Sequence, residues 1–400
     1  MKVGIITRLY NSNNYGGCLQ AYALERILIN YGFSAKQILY KSSKNKAGII
    51  GAIRSEYKSS GLVCLVRKVI MTLIQRTKGH YYRLINRIMK IDEVTAARVS
   101  EFKRFRECII DCTDRVYDSS TIYECNDYDA YITGSDEVWR IFGNSLNPAY
   151  WLLFVPSNKI KISYAASLSM VEIPNSIRDS VKIALSDYTG ISVRQNTDKE
   201  CISKLANRPV EWVLDPTLLL DVKEWESISE KNNYRSEKYI FTYLLGDNSN
   251  QRKLIVGFAK ENGLKIINIP YLHNQYQAND RWFGDYRISD VSPELWISLI
   301  KDAEYVFTDS FHGAVFSLMF HKRLFAFLRD NDNSINSRNS RIYSLFELFK
   351  ISNRIIKSDF TLNDLMIMDE IDYTIVEDIL KRERAHSIDF LLGALNQDES

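Results

Sequence analysis

The sequence predicts an α/β protein made of two open parallel-sheet domains, and three observations carry that prediction. First, Ala303 to Phe327 holds two short apolar runs, Tyr305-Val306-Phe307 and Leu324 to Leu328, around an apolar stretch from Gly313 to Phe320. Strands buried on both faces read as continuous apolar runs, and a segment apolar nearly all round between them reads as a buried crossover helix. Second, the amino terminus repeats the unit, with a strand over Lys2–Thr7, a Gly/Asn loop and a helix from Leu19 to Tyr31. Third, the strand–helix rhythm restarts at Tyr239, after Trp212-Val213-Leu214-Asp215-Pro216-Thr217, which reads as the crossing into a second domain. A chain of 400 residues accommodates two domains of ordinary size.

In chain order, the first loop, Asn11 to Cys18, contains Tyr15, Gly16 and Gly17. A strand, a loop and a helix start offer unpaired backbone N–H groups to an anion, although a tight turn alone also calls for glycine. The chain has neither a GxGxxG fingerprint nor a P-loop. A second strand spans Ser34–Tyr40. Residues 41–106 then carry 16 basic against 4 acidic side chains, so this segment is near +12 and the remainder near −9. Leu62 to Val66 and Val69 to Ile74 give it a basic amphipathic helix, suited to an anionic membrane surface or to an ordinary solvated face. No nucleic-acid reading motif is present, and aromatics cluster only at Tyr81-Tyr82, so nucleic acid is not expected as a partner.

The next strand, Tyr128–Thr133, runs into Gly134-Ser135-Asp136 at its carboxyl end, where ligand loops lie. Asp136 there suits a hydrogen bond from a sugar hydroxyl, or a cap of the following turn. Asp127-Tyr128-Asp129 precedes the strand, at the wrong end for a metal in the cleft. Strands follow at Lys161–Ala166, with a helix over Pro174–Tyr188, and at Gly190–Val193, ending on Arg194 before a helix over Gln195–Ala206. Arg194 at a strand end suits bidentate contact with carboxylate or phosphate, or a salt bridge.

The second half reads as a strand over Tyr239–Leu245, a helix over Gln251–Glu261, a strand over Lys265–Ile269 and a helix starting at Ser292-Pro293-Glu294. The turn Thr308-Asp309-Ser310-Phe311-His312-Gly313 sits at the carboxyl end of the Tyr305 strand, the ligand-binding edge of an open sheet. His312 can carry a proton there near neutral pH, or simply cap the helix. A polar loop, Arg329 to Arg341, supplies Arg338 and Arg341. The charged tail helices, Asp359 to Asn396, are expected to cover a surface and reach back to the first domain. The boundaries so drawn are 1–215 with a helical insert at about 41–106, then 216–370, then a carboxyl-terminal helix in 371–400.

Composition narrows the class. At 46% hydrophobic and 25% charged residues this is a folded globular chain. The six cysteines form no CxxC and have no histidine at ligand spacing, which argues against zinc. The amino terminus reads as a strand and not as a signal peptide, and no apolar run approaches the ~20 residues of a membrane span. A cytoplasmic location is expected, with residues 41–106 as a candidate peripheral contact to the inner face of the membrane.

Six stretches, in order, resemble the polysaccharide pyruvyl transferase family: Asn13-Asn14-Tyr15-Gly16-Gly17 through Leu24, Ile132-Thr133-Gly134-Ser135-Asp136 with Val138-Trp139, Ser163 to Ser167, Ser192-Val193-Arg194, Val213 to Thr217, and Thr308 to Gly313. The resemblance spans Met1 to about Phe349, excluding the basic insert. It implies two Rossmann-like domains facing across a cleft, similar to the GT-B glycosyltransferases. It also implies transfer of a pyruvyl group from phosphoenolpyruvate to two hydroxyls of a sugar, with no cofactor and no metal. By position the family's functional histidine corresponds to His312 and its strand-end arginine to Arg194. The family's turn resembles Arg-Leu-His-Gly, whereas this chain has Ser310-Phe311-His312-Gly313, and Arg338 or Arg341 is the candidate replacement.

The expected site is therefore His312 and Asp136 as catalytic groups, with Tyr15, Gly16, Gly17, Ser135, Arg194, Ser310, Gly313, Arg338 and Arg341 contacting substrate. The expected acceptor is a sugar or lipid-linked oligosaccharide. Two other readings stand beside it: a nucleotide-sugar-dependent glycosyltransferase and a non-catalytic sugar-binding protein of the same pathway.

Overall fold

A computed structural model describes residues 1–42, 91–170, 172–272, 277–332 and 337–396. The amphipathic segment at 62–74 lies outside the described residues. In chain order the elements of the first half are β1 (Lys2–Ile6), α1 (Tyr15–Asn30), β2 (Ser34–Gln37), α2 (Ile91–Cys108), β3 (Ala130–Thr133), β4 (Ile160–Ala166), α3 (Arg178–Leu185), β5 (Gly190–Val193), α4 (Asn196–Ala206) and β6 (Glu211–Trp212). The second half has α5 (Val222–Ile228), β7 (Tyr239–Tyr243), α6 (Ser249–Asn262), β8 (Lys265–Asn268), β9 (Tyr286–Arg287), α7 (Pro293–Lys301), β10 (Tyr305–Thr308), α8 (Phe311–Met319), β11 (Arg323–Phe327), α9 (Ser340–Leu348), β12 (Ile355–Ile356), α10 (Leu362–Met366) and α11 (Tyr373–Leu395).

These strands form two six-stranded sheets, ordered β2-β1-β3-β4-β5-β6 and β12-β11-β10-β7-β8-β9. Every pairing is parallel. Both sheets are therefore Rossmann-like, and their carboxyl edges carry the loops that meet between the domains.

The helix expected from Leu19 begins four residues earlier, at Tyr15. Asn14 has extended backbone and its side chain accepts from the Gly17 N–H at 3.2 Å, an N-cap that outweighs the poor helix propensity of two glycines. Tyr15, Gly16 and Gly17 thus form a helical first turn and not a loop. Helix α1 is buried almost throughout because it lies between the first sheet and helices α7 and α8 of the second domain.

Tyr15 anchors this seam. Its ring stacks on Trp296 at 5.2 Å and packs against Phe102 at 4.8 Å, while its hydroxyl donates to the Val291 carbonyl at 2.9 Å. Farther along, Trp225 meets Tyr22 at 5.7 Å and Phe316 at 4.8 Å. One hydrophobic cluster, running from Val3 to Leu395 in sequence, continues through both domains.

Helix α2, the end of the basic segment, belongs to this seam as well. Arg98 donates to the carbonyls of Ser289 at 2.5 Å and Pro270 at 2.8 Å, and Arg104 pairs with Glu294 at 2.9 Å. The expectation that all of 41–106 forms one solvated or membrane-facing insert is corrected for these residues. Their charges are spent on the second domain.

Helix α11 starts beside His321, whose ring stacks on Tyr373 at 4.4 Å, and ends against β4 and β5. Ser387 accepts from the Leu214 N–H at 3.0 Å, and Arg384 donates to the Leu218 carbonyl at 2.8 Å.

Candidate functional site

The turn after β10 is built from its own side chains. Thr308 accepts from the Ser310 N–H at 3.0 Å and donates to the Tyr243 carbonyl at 2.7 Å. Asp309 accepts from the N–H groups of Leu245 at 2.6 Å and Gly246 at 2.7 Å, tying the loop after β7 to the same edge. Ser310 is the N-cap of α8, accepting from the Gly313 N–H at 3.3 Å. A Cβ at Gly313 would lie 2.6 Å from Thr308 Oγ1, so the turn closes only with glycine there. Ser310 and Gly313, both expected to contact substrate, are joined to each other by this cap.

His312 occupies the first turn of α8 and projects toward the first domain. A Cβ at Gly16 would lie 1.9 Å from its Nδ1. The imidazole therefore fits against α1 only because residue 16 has no side chain. Its Nε2 is buried and faces Asp215 Oδ2 at 3.5 Å. Gly16 is thus a packing partner of His312, and Gly17 donates its N–H to the Asn14 cap.

Asp215 is fully buried, just after β6. Its Oδ1 accepts from Thr217 N at 3.1 Å and Oγ1 at 2.7 Å, and its Oδ2 from Arg194 Nη1 at 2.8 Å and Ser135 Oγ at 3.0 Å. Burial opposes ionisation, but His312 and Arg194 outweigh it and hold the carboxyl well below the usual range. Arg194 also pairs with Asp136 at 3.0 Å, lies 4.4 Å from the Phe311 ring, and is 1% exposed. Two carboxylates raise its proton affinity against the opposing effect of burial. Arg194, expected at the site as a substrate contact or a salt bridge, is here the buried counter-ion of Asp136 and Asp215.

Asp136, expected as a catalytic group, belongs to the same ion-pair network. Burial raises its pKa, yet Arg194, His312 and Arg341 bring it below the ordinary value. A carboxylate so paired is a poor proton donor. Ser135 donates its N–H to Gln20 Oε1 at 2.9 Å, and Gln20 in turn donates to Thr7 Oγ1 at 3.0 Å, so the Ser135 loop is locked to β1 and α1. Gly134 has φ +129°, and a Cβ there would collide with the Tyr164 carbonyl.

Glu137 gathers the rim. Arg341 Nη1 lies 3.1 Å from its carboxylate, Arg338 Nε 3.0 Å and Arg140 Nη1 3.4 Å, while Arg8 donates to its carbonyl at 2.7 Å. Burial, aided by Arg194 and Arg329, pushes the Arg341 pKa down to about 10 against the pull of Glu137 and Asp136. Side-chain exposure rises from 1% at Arg194 through 7% at His312 and 11% at Arg341 to 35% at Arg338. Arg338 is thus the most exposed member of the cluster, and Arg194 and His312 are its most buried. Arg140, Arg194, Arg338 and Arg341 face the carboxylates of Asp136, Glu137 and Asp215, and Arg8 donates to the Glu137 carbonyl, so cations outnumber carboxylates in this cluster.

The expected residues thus divide. His312 and Arg341 reach the network around Asp136, with Arg338 beside them on Glu137, Tyr15 belongs to the aromatic seam, and Gly16, Gly17, Ser135, Asp136, Arg194, Ser310 and Gly313 pack or hydrogen-bond around them. Sequence reasoning missed Asp215, Glu137, Arg8 and Arg140. A signal for Asp215 was present, since Asp-Pro-Thr follows a strand as the glycine and arginine loops do. Asp129 accepts from the Lys2 N–H at 2.8 Å, at the opposite edge of the sheet. Among the described residues no group of three or more His, Cys, Asp and Glu side chains is arranged to hold a metal ion. No described helix is long and apolar enough to cross a membrane.

A family model described as polysaccharide pyruvyl transferase matches residues 14–331. The match includes every residue of the cluster from Gly16 to His312 and stops short of Arg338 and Arg341. Among curated proteins, none matches the chain in sequence. Among solved structures, UDP-GlcNAc 2-epimerase of Methanocaldococcus jannaschii is similar at 12% identity and a TM-score of 0.52, covering 96% of this chain and 94% of its own. The S. aureus MnaA–UDP structure is similar at 11% identity and a TM-score of 0.50, covering 98% and 97%. These likenesses establish the fold, two facing Rossmann-like domains of GT-B type.

Proposed function

The chain belongs to the polysaccharide pyruvyl transferase family, and on that premise we propose that it moves the pyruvyl group of phosphoenolpyruvate onto two hydroxyls of one sugar during cell-surface polysaccharide synthesis. The observation that carries the reading is the placement of His312. A single imidazole meets the first turn of α1 and a buried carboxylate beneath a rim of arginines. Phosphoenolpyruvate offers a phosphate and a carboxylate, which arginine forks and a helix amino terminus accommodate.

In this reading Arg338 and Arg341 exchange Glu137 for the donor's anionic groups. His312, protonated, gives its proton to the methylene carbon, and C2 becomes electrophilic. One sugar hydroxyl adds to C2 and returns a proton to the imidazole. The second hydroxyl then displaces phosphate, which leaves with the remaining proton as hydrogen phosphate, and the ketal closes. Proton transfers of this kind are worth roughly 10²–10⁴-fold each. Ser310 carries no charge where the family pattern has arginine, and in this reading the charge for the donor comes from Arg338 and Arg341, before and within the first turn of α9, instead.

The test is to incubate the protein with phosphoenolpyruvate and a panel of diol-bearing sugars, and to follow phosphate release and the new methyl resonance of the ketal. Both should appear with at least one acceptor and be lost in His312→Gln. Consumption of a nucleotide sugar with phosphoenolpyruvate untouched would establish glycosyl transfer instead.

A further inference from the structure

We infer that Asp215 is the positioning residue for His312: it fixes a proton on Nε2 and so leaves Nδ1, against the first turn of α1, as the atom that exchanges a proton with substrate. The inference deepens the proposed reaction and rests on it for the identity of the substrate. Three features carry it.

The first is the placement of Nε2. It is buried and has no hydrogen-bond partner, and the carboxylate oxygen of Asp215 faces it at 3.5 Å. An ionised carboxylate only accepts, so the ring nitrogen facing it must be the one that bears hydrogen. A separation of 3.5 Å is long for a formed bond, and such contacts tighten when the substrate is in place.

The second is that Asp215 cannot turn away. Thr217 holds Oδ1 through both its N–H and its hydroxyl, and Arg194 and Ser135 hold Oδ2. Its plane is set by four donors from three separate segments of the chain, around positions 135, 194 and 217. The histidine comes from the second domain, so the orientation of the ring is decided across the interface.

The third is Gly16. Nδ1 is the ring atom nearest to where a residue-16 side chain would begin. That edge of the ring abuts the amino-terminal turn of a 16-residue helix, where backbone dipoles favour an anion. A phosphate or carboxylate at that turn would meet the Nδ1 edge of the ring first. The division of labour follows the logic by which a buried carboxylate selects the tautomer of a catalytic histidine.

The test uses the full chain labelled with ¹⁵N-histidine, in which the resonances of His312 are identified among five histidines by their loss in His312→Gln. The neutral ring of His312 should carry hydrogen on Nε2 alone. Asp215→Asn should populate the other tautomer and lower kcat for phosphate release from phosphoenolpyruvate by roughly 10²–10⁴-fold, with KM for phosphoenolpyruvate changed less than about threefold. A purely structural Asp215 would alter stability and leave the tautomer alone. Hydrogen on Nδ1 in the unsubstituted protein overturns the inference even if Asp215→Asn does not fold, as does an unchanged tautomer in the folded variant. The expected tautomer in a protein that never consumes phosphoenolpyruvate would uphold the role of Asp215 and count against the donor.

Discussion

At Gly16 a single methyl group would reach 1.9 Å from the Nδ1 of His312, and one of the two must then move. Gly16→Ala should displace the imidazole, cost about 1–3 kcal/mol in overpacking and remove most turnover of phosphoenolpyruvate. Urea denaturation and a phosphate-release assay check this; full activity would mean that the ring is free to sit elsewhere. His312 was legible in the sequence because a strand, a polar turn and a buried helix place it at a ligand edge. The roles of Ser310 and Gly313 were not, because the same side chains serve a cap or a ligand depending on geometry that spacing does not encode.

Glu25 is a second residue-scale case. Burial pushes its pKa up to about 8, against the help of the Asp111 N–H. Between about pH 4.5 and 8 the folded chain then holds a proton that the unfolded chain has lost, so stability falls as pH rises through that window. Glu25→Gln should gain on the order of 1–3 kcal/mol over the parent at pH 8 and little at pH 5. An identical pH slope in urea melts of the two proteins would contradict this.

At the scale of elements, α11 locks onto the first sheet through Gly190. A Cβ there would lie 2.7 Å from that of Ala394 and 3.3 Å from the Phe390 ring. Gly190→Val should therefore lift the end of α11, lower Tm by several degrees and open the helix to proteolysis; an unchanged digestion pattern would show that the helix docks by other contacts. The long apolar strands and crossover helices were readable from periodicity, whereas β6, β9 and β12, two residues each, are too short to show any. Arg341 was expected on a loop but lies in the first turn of α9, where a cation opposes the helix dipole. That local mismatch is compensated by Glu137 from the other domain, and no pattern within residues 329–341 contains it.

At the scale of the whole molecule, the aromatic seam and the arginine rim do different work. Tyr15, Trp225 and Trp296 join the domains in one continuous core, while above them Arg338 and Arg341 reach across to Glu137. The sequence conveyed two domains and a cleft; it did not convey that the basic segment ends inside the seam, because a basic helix facing carbonyls reads the same as one facing solvent. The most direct measurement of the central claim is calorimetric titration of phosphoenolpyruvate into the full chain and into Arg341→Met. One molecule should bind per chain, more weakly as salt rises, with affinity reduced roughly tenfold or more by the substitution. No binding, or equal binding by both proteins, would contradict the claim that this cleft clasps the donor.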